Sequence, residues 1–381
     1  MPVNRQEFDT RLENVRKKMA EDELKALVAY ADNRITGNVR YLSNFSLKYS
    51  GYQSVSASKW IIYGGSVVVV PLEGNPKLIT DCDFASSAVE ELSVIKDAEF
   101  SFDLGLAVSR ALGDLKGKIG VTTWDKFPHT LYSAIKDRLP EAILTPSFIV
   151  EDLRMIKSPG EIEIMKKAAN VMDEATDAAV NALAEGKTEK EICLAAEYAM
   201  ETRNPSPQFV PQTQVVTFGQ RSAAWGYPSQ AKLRKGDMVV IDLNNEYDGY
   251  VSDIARSKVF GSAPTKEQKN AYDVAEQMLR TAVQSIRPGV KAKAIWDAAA
   301  KVAKESGYER NFRPLISHGI GLDIQEKPSV GLDETILRPN MVITCEPALL
   351  MKDFGVAVED AILITDTGRE SLTKYEKRLE M

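Results

Sequence analysis

The chain has 381 residues, 44% hydrophobic and 27% charged, an ordinary globular composition long enough for two or three domains. A formal net charge of -6 leaves no basic footprint for nucleic acid, and no apolar run approaches the ~18 residues of a membrane span. Only two histidines occur, His129 and His318, which excludes any mechanism that needs several imidazoles.

In chain order, Met1-Pro2-Val3-Asn4-Arg5 is polar, with no signal-peptide core behind it, so a cytoplasmic protein is expected. Residues 6–21 read as a charged amphipathic helix. Strand-like runs follow: "KALVAYA", "WIIYGGSVVVVP", "PKLITD" and "GKIGVTT". Helical stretches such as "ASSAVEELSVI" and "LYSAIKDRL" lie between some of them, a mixture that predicts an α/β domain over residues 1–150. Cys82, Cys193 and Cys345 are scattered and odd in number, and read as reduced core thiols.

The pattern changes at the start of a second domain, residues 151–381. Ser158-Pro159-Gly160-Glu161 is a capping box with proline at the first helical position. Ile164, Ala168, Val171, Met172 and Ala175 then recur at helical spacing, with Gly186 as the stop. Thr188 and Glu191 box a shorter helix through Met200. A second round follows. Thr265 to Gln268 caps a long helix ending near Pro288-Gly289, and a shorter one ends at Gly307. After each helix pair comes a strand pair, "MVVIDLNNEYDGYVSDIARS" and then "MVITCEPALLMKDFGVAVEDAILIT". Aligning Met238-Val239-Val240-Ile241 with Met341-Val342-Ile343-Thr344 sets Asp242 beside Glu346, one residue out, and Asp253 within a few residues of Glu359: a weak internal repeat.

If Asp248-Gly249 is the turn of a hairpin, Asp242 and Asp253 point to one face, directly opposite or diagonal by two. Glu346 and Glu359 also sit within or beside apolar strands. Four carboxylates in such places repel one another, and desolvation costs several kcal/mol each. Raised pKa values, basic partners or bound cations are the remedies. Arg256 can pair with one acid but not four. Divalent metals in an oxygen-rich shell with one imidazole are the simplest answer. His318, in the glycine-rich "ISHGIGLDIQEKP", is the imidazole on offer.

Asp242 and Asp253 eleven apart, "HGIGL", "TCEP" and "VAVED" in order, and the "LRMIKSPGEIEIM" junction together resemble the pita-bread-fold metallopeptidase family, which includes methionine aminopeptidase, Xaa-Pro aminopeptidase and prolidase, with creatinase as a metal-free cousin. "NVRYLSNF", residues 38–45, is similar to the N-terminal domain of the Xaa-Pro/creatinase branch. The resemblance implies an N-terminal creatinase-like α/β domain and a C-terminal pita-bread domain with a pseudo-two-fold repeat. It further implies two divalent ions (Mn, Co, Fe or Zn), with Asp242 chelating one, Asp253 and Glu359 bridging, and His318 and Glu346 on the second. Glu346 would shuttle the proton of a metal-activated hydroxide that attacks a carbonyl and cleaves a C–N bond. A small-molecule or Xaa-Pro-like dipeptide substrate and a homodimer are implied in the same way.

The departures from the family pattern are informative. Trp225, in "FGQRSAAWGYPS", stands where the peptidases carry a histidine, and Gln325 where they carry a second. Ala255 replaces a usual threonine and Ala357 a usual arginine. These changes keep two rivals in view: a non-peptidase amidohydrolase (creatinase- or ectoine-hydrolase-like) or lyase, and a catalytically inactive peptide-binding module. Trp225 is read equally as a stacking surface for substrate or as core, and Gln325 as a hydrogen-bonding contact to substrate. Tyr49, Tyr52 and Trp60 read as packing residues first and pocket residues second.

Overall fold

The computed structural model describes residues 5–47, 50–56, 59–82, 89, 91–205, 214–314, 317–331 and 333–381. Tyr49 and, of the "ASSAVEELSVI" stretch, residues 85–88 and 90 lie outside the described residues. The chain divides into two compact units, one through Arg154 and one from Met155.

In the first unit α1 (Arg5–Glu21) precedes β1 (Ala26–Ala31), α2 (Gly37–Ser43), β2 (Gly51–Ser56), β3 (Lys59–Tyr63), β4 (Ser66–Pro71), β5 (Lys77–Thr80) and β6 (Ala98–Phe100). Then come α3 (Leu104–Leu112), β7 (Gly117–Val121), α4 (His129–Arg138), β8 (Ala142–Pro146) and α5 (Ile149–Arg154). Six strands form one sheet in the order β6-β5-β4-β1-β7-β8, with parallel and antiparallel neighbours. The apolar run expected as one strand splits at Gly64-Gly65. Its first part pairs with β2 as a separate hairpin, on which Tyr52 and Trp60 are exposed.

The second unit begins with α6 (Pro159–Asn181) and α7 (Glu189–Arg203), both with complete capping boxes. The first ends at Asn181, ahead of Gly186, and the second runs on past Met200 to Arg203. A three-stranded sheet follows, of β9 (Val215–Phe218), β10 (Met238–Tyr247) and β11 (Tyr250–Val259). The order then repeats with α8 (Lys266–Ser285), again boxed, and α9 (Lys293–Glu305). These are succeeded by β12 (Ser317–Gly319), β13 (Glu326–Val330), β14 (Val342–Cys345), β15 (Ala348–Leu350), β16 (Gly355–Ala357), β17 (Asp360–Ile364) and β18 (Arg369–Ser371).

Strand alternation sorts the side chains. Val239, Ile241, Leu243 and Ile254 share a core with α6 and α7; Ile343, Cys345, Ile362 and Ile364 share one with α8 and α9. The intervening residues, Asp242 and Asp253 on one hairpin and Thr344 on the other, therefore face away from the helices. All three cysteines are buried and free. Among the described residues no helix is long and apolar enough to cross a membrane.

Candidate metal centre

The first hairpin is continuous. Its ladder runs from Met238↔Val259 to Tyr247↔Tyr250, closed by Asp248 and Gly249 at φ 52° and 96°. Positive φ at both central residues is the type I′ turn that matches strand twist. In this register Asp242 pairs with Ala255 and Asp253 with Asn244. The two aspartates are thus the diagonal pair on one face, the second of the two arrangements the turn allows.

The second hairpin is broken. β14 pairs with β17 as far as Cys345↔Asp360, and β15 with β16 from Ala348↔Ala357. Both ladders keep one register, so Glu346 and Glu359 face each other across the break. The hairpins are joined edge to edge: Glu359 N donates to Ala255 O at 2.9 Å, and Ser257 Oγ bonds Ala357 O and N, each at 2.9 Å.

Asp242, Asp253, Glu346 and Glu359 are all buried. Ligand atoms of Asp253, His318 and Glu359 lie within 4.8 Å of one another, with His318 Nε2 4.0 Å from Asp253 Oδ2. His318 Nδ1 is 3.0 Å from Gly319 O, an acceptor that places the ring proton on Nδ1 and leaves the Nε2 lone pair for the centre. Gly319 lets β13 pass close beside it: a Cβ there would lie 2.1 Å from Lys327 O.

Burial dominates the electrostatics. It lifts the Asp253 carboxyl well above its usual range, aided by the charges of Asp242 and Glu346. It lifts Glu359 likewise, aided by Asp253, Glu346 and Asp242. Glu346 is pushed up to about 8 by burial and the Asp242 charge, against the pull of Arg313. Asp242 rises to about 6 through burial, opposed by the Trp225 hydrogen bond and Arg313. Burial lowers His318, keeping the imidazole neutral. Asp253 Oδ1 and both Glu359 carboxylate oxygens are buried with no hydrogen-bond partner in good geometry. Orphaned buried oxygens beside a neutral imidazole fit a divalent ion of the Mn, Fe, Co or Zn type.

Trp225 lies on a loop clamped from both sides. The fully buried Glu189 carboxylate accepts Phe218 N, Arg221 Nε, Ser229 N and Ser229 Oγ at 2.6–3.0 Å. Ser222 Oγ meets Gly355 N at 2.8 Å. Trp225 itself is held at φ 50°, its ring against Val240, Ala255, Ala348 and Ala357 and its Nε1 donating to Asp242 Oδ2 at 2.7 Å. The small residues at 255 and 357 therefore form the floor on which the indole rests. Gln325 is exposed at a bend before β13; its neighbour Glu326 is drawn inward to Lys157 at 2.7 Å.

Two features escaped sequence reasoning. Arg313, five residues before His318, donates Nη1 to Glu346 Oε1 at 2.9 Å and sits 4.7 Å over the Trp225 ring. A cation so close to the one available imidazole was the signal. Arg256 is also placed differently from expectation. It pairs with Asp360 at 2.8 Å and with backbone carbonyls of Glu359 and Tyr375, rather than with the four facing acids, because alternation turns it to the opposite side of β11.

Residues 163–366 match the model of metallopeptidase family M24, and residues 11–156 that of the creatinase/prolidase N-terminal domain. The chain belongs to metallopeptidase family M24, a family of divalent-metal-dependent enzymes. A Xaa-Pro dipeptidase of Pyrococcus horikoshii is 40% identical over 235 residues, which span 61% of this chain and 66% of that protein; one from Pyrococcus furiosus is 39% identical over the same shares. The solved structure of the prolidase from Pyrococcus horikoshii has a TM-score of 0.83 at 31% identity and covers 97% of this chain and 99% of its own. These likenesses bear out the two-domain mixed α/β architecture and the family resemblance.

Proposed function

We propose that the protein is a metal-dependent hydrolase that cleaves a C–N bond in a small substrate of the Xaa-Pro dipeptide type. The observation that carries this reading is the set of orphaned buried oxygens on Asp253 and Glu359 beside the neutral His318. A bound Mn, Co, Fe or Zn ion would supply Lewis acidity and an activated water there. For the pair of ions that the resemblance implies, Asp242 and Glu346 would have to supply the second position. Glu346 would carry the proton of that water, with Arg313 orienting its carboxylate. Trp225 offers an apolar wall for a substrate ring. Gln325 is kept as a substrate contact. A homodimer in the cytoplasm completes the proposal.

A second reading, a non-peptidase amidohydrolase or lyase on the same site, is favoured by one observation. His129 is the only other histidine and belongs to the first unit. Within the second unit no imidazole remains to protonate a leaving amine. The orphaned acids weigh against an inactive binding module, since idle buried carboxylates destabilise. The test is hydrolysis of Xaa-Pro dipeptides and small cyclic amides by protein supplied with Mn²⁺ or Co²⁺. Metal-dependent turnover that a chelator abolishes is expected. Rapid turnover of ordinary Xaa-Pro dipeptides rejects the second reading, and no turnover of any amide rejects the first.

A further inference from the structure

The four acids are not equally open to a cation. On one side, Asp253 Oδ1 and both oxygens of Glu359 lack donors in good geometry. On the other, Asp242 Oδ2 already accepts the indole N–H of Trp225, and Glu346 Oε1 accepts Arg313 Nη1. We propose that the centre holds a single divalent ion, on Asp253, His318 and Glu359, and that the Arg313 guanidinium, seated on the Trp225 ring, stands in for a second ion beside Asp242 and Glu346. This rests on the metal-dependent reading above and departs from the two-ion count of the family resemblance.

Arg313 is not a loose surface side chain. Its backbone N–H donates to Ala348 O at 3.1 Å, and Phe312 bridges to Leu349. Asn311 exchanges hydrogen bonds with Leu350, and Trp296 Nε1 donates to Pro314 O at 2.7 Å. The segment is thereby fixed alongside β15, two residues beyond Glu346. A guanidinium over an aromatic face gains a cation–π attraction that strengthens out of water.

Trp225 is fixed as firmly, through the Glu189 clamp and the Ser222–Gly355 contact. An indole N–H only donates. Its hydrogen bond at 2.7 Å takes one of the lone-pair sites of Asp242 Oδ2 and so competes with a cation on that oxygen. Charge agrees with geometry. One dication and one guanidinium nearly balance four carboxylates and a neutral imidazole. A second dication beside the guanidinium would reverse the local sign and set two cations against the Asp242 and Glu346 carboxylates.

The test is metal content after loading the full-length chain with Mn²⁺ and removing excess ion. We expect one ion per chain and the six-line electron paramagnetic resonance signal of an isolated Mn²⁺. Arg313→Met is expected to bind two ions and to give the broadened, coupled spectrum of a manganese pair. Arg313→Gln, which keeps a donor for Glu346, is expected to do the same and serves if the methionine variant fails to fold. Two coupled ions in the unaltered protein overturn the inference and leave the metal-dependent reading standing. Variants that stay at one ion overturn the role of Arg313. No bound ion at all overturns both readings together.

Discussion

The two hairpins of the second unit hold the same number of acids by different means. The first, β10–β11, is one unbroken ladder with a two-residue turn, and its acids are set by strand parity alone. The second, β14 to β17, is interrupted where its acids lie, and Glu346 and Glu359 occupy the gap between two short ladders. A continuous ladder satisfies its own backbone and spaces side chains at fixed intervals. A broken one leaves side chains free to converge, but needs outside support at the break. Here that support comes from the first hairpin, through Ala255, Arg256 and Ser257. The regular hairpin thus acts as the template and the irregular one as the more adaptable half.

The largest effect is expected where the two are welded. Arg256 is buried, pairs with Asp360 and donates to the Glu359 carbonyl. Removing one partner of a buried pair costs ~3–5 kcal/mol. Arg256→Met should fall near the lower end, because Lys377 also reaches Asp360, at 2.7 Å. Thermal unfolding of the metal-free protein measures it. A loss below about 1 kcal/mol would show that the hairpins do not depend on this weld.

Next comes the acid at the break. Burial and three neighbouring acids raise the Glu359 carboxyl far above its usual value. A raised acid binds its proton more tightly folded than unfolded, so its contribution to metal-free stability falls as pH rises above the ordinary carboxylate range. Glu359→Gln removes that cost. The metal-free variant should melt higher than the unaltered protein near neutral pH. It should also lose the metal-induced stabilisation, about 2.7 kcal/mol at a hundred-fold excess over Kd. Melting curves with and without Mn²⁺ separate the two effects. A variant that melts lower and still gains from Mn²⁺ would remove Glu359 from the centre.

The same contrast explains what could be read from the sequence. Capping boxes are local, and Ser158, Thr188 and Thr265 all lie where their spacing places them. Parity in a two-residue hairpin is local too, so the shared face of Asp242 and Asp253 was legible. The register across the break was not, because β15 and β16 and their turn intervene between the acids. Arg313 and the seat of Trp225 were beyond reach for another reason. Arg313 reaches Glu346 33 residues on in the chain, and the Trp225 seat depends on segments more than a hundred residues apart, such as Ser222 on Gly355. Small residues at 255 and 357 looked like losses when taken singly. They make sense only beneath the indole ring that covers them.

Smaller effects come from one glycine in each hairpin, for opposite reasons. Gly355 is required by crowding: a Cβ there would stand 2.3 Å from Ser222 O, which is backbone and has little room to yield. Gly355→Ala should cost ~1–3 kcal/mol, as overpacking does. It should also push the Trp225 loop off its seat, altering tryptophan emission and weakening metal binding. A variant with unchanged emission and metal affinity would show that the loop is held by the Glu189 clamp alone.

Gly249 is required by conformation instead, at φ 96° in the turn of the first hairpin. An alanine there must adopt a left-handed backbone, which costs ~1–2 kcal/mol for a residue with a Cβ. The expected loss is about 1 kcal/mol, a shift of a few degrees in Tm for a unit of this size. Gly249→Asn should recover part of it, since asparagine tolerates that region better than alanine. Neither variant should disturb the centre. Asp242 and Asp253 lie four or more residues from the turn, in a ladder paired from Met238 to Tyr247 that a slip of one residue would turn inside out. Metal stoichiometry and affinity should therefore match the unaltered protein while Tm falls. If Gly249→Ala loses metal as readily as Gly355→Ala, the first hairpin is no more rigid a template than the second, and the contrast between them fails.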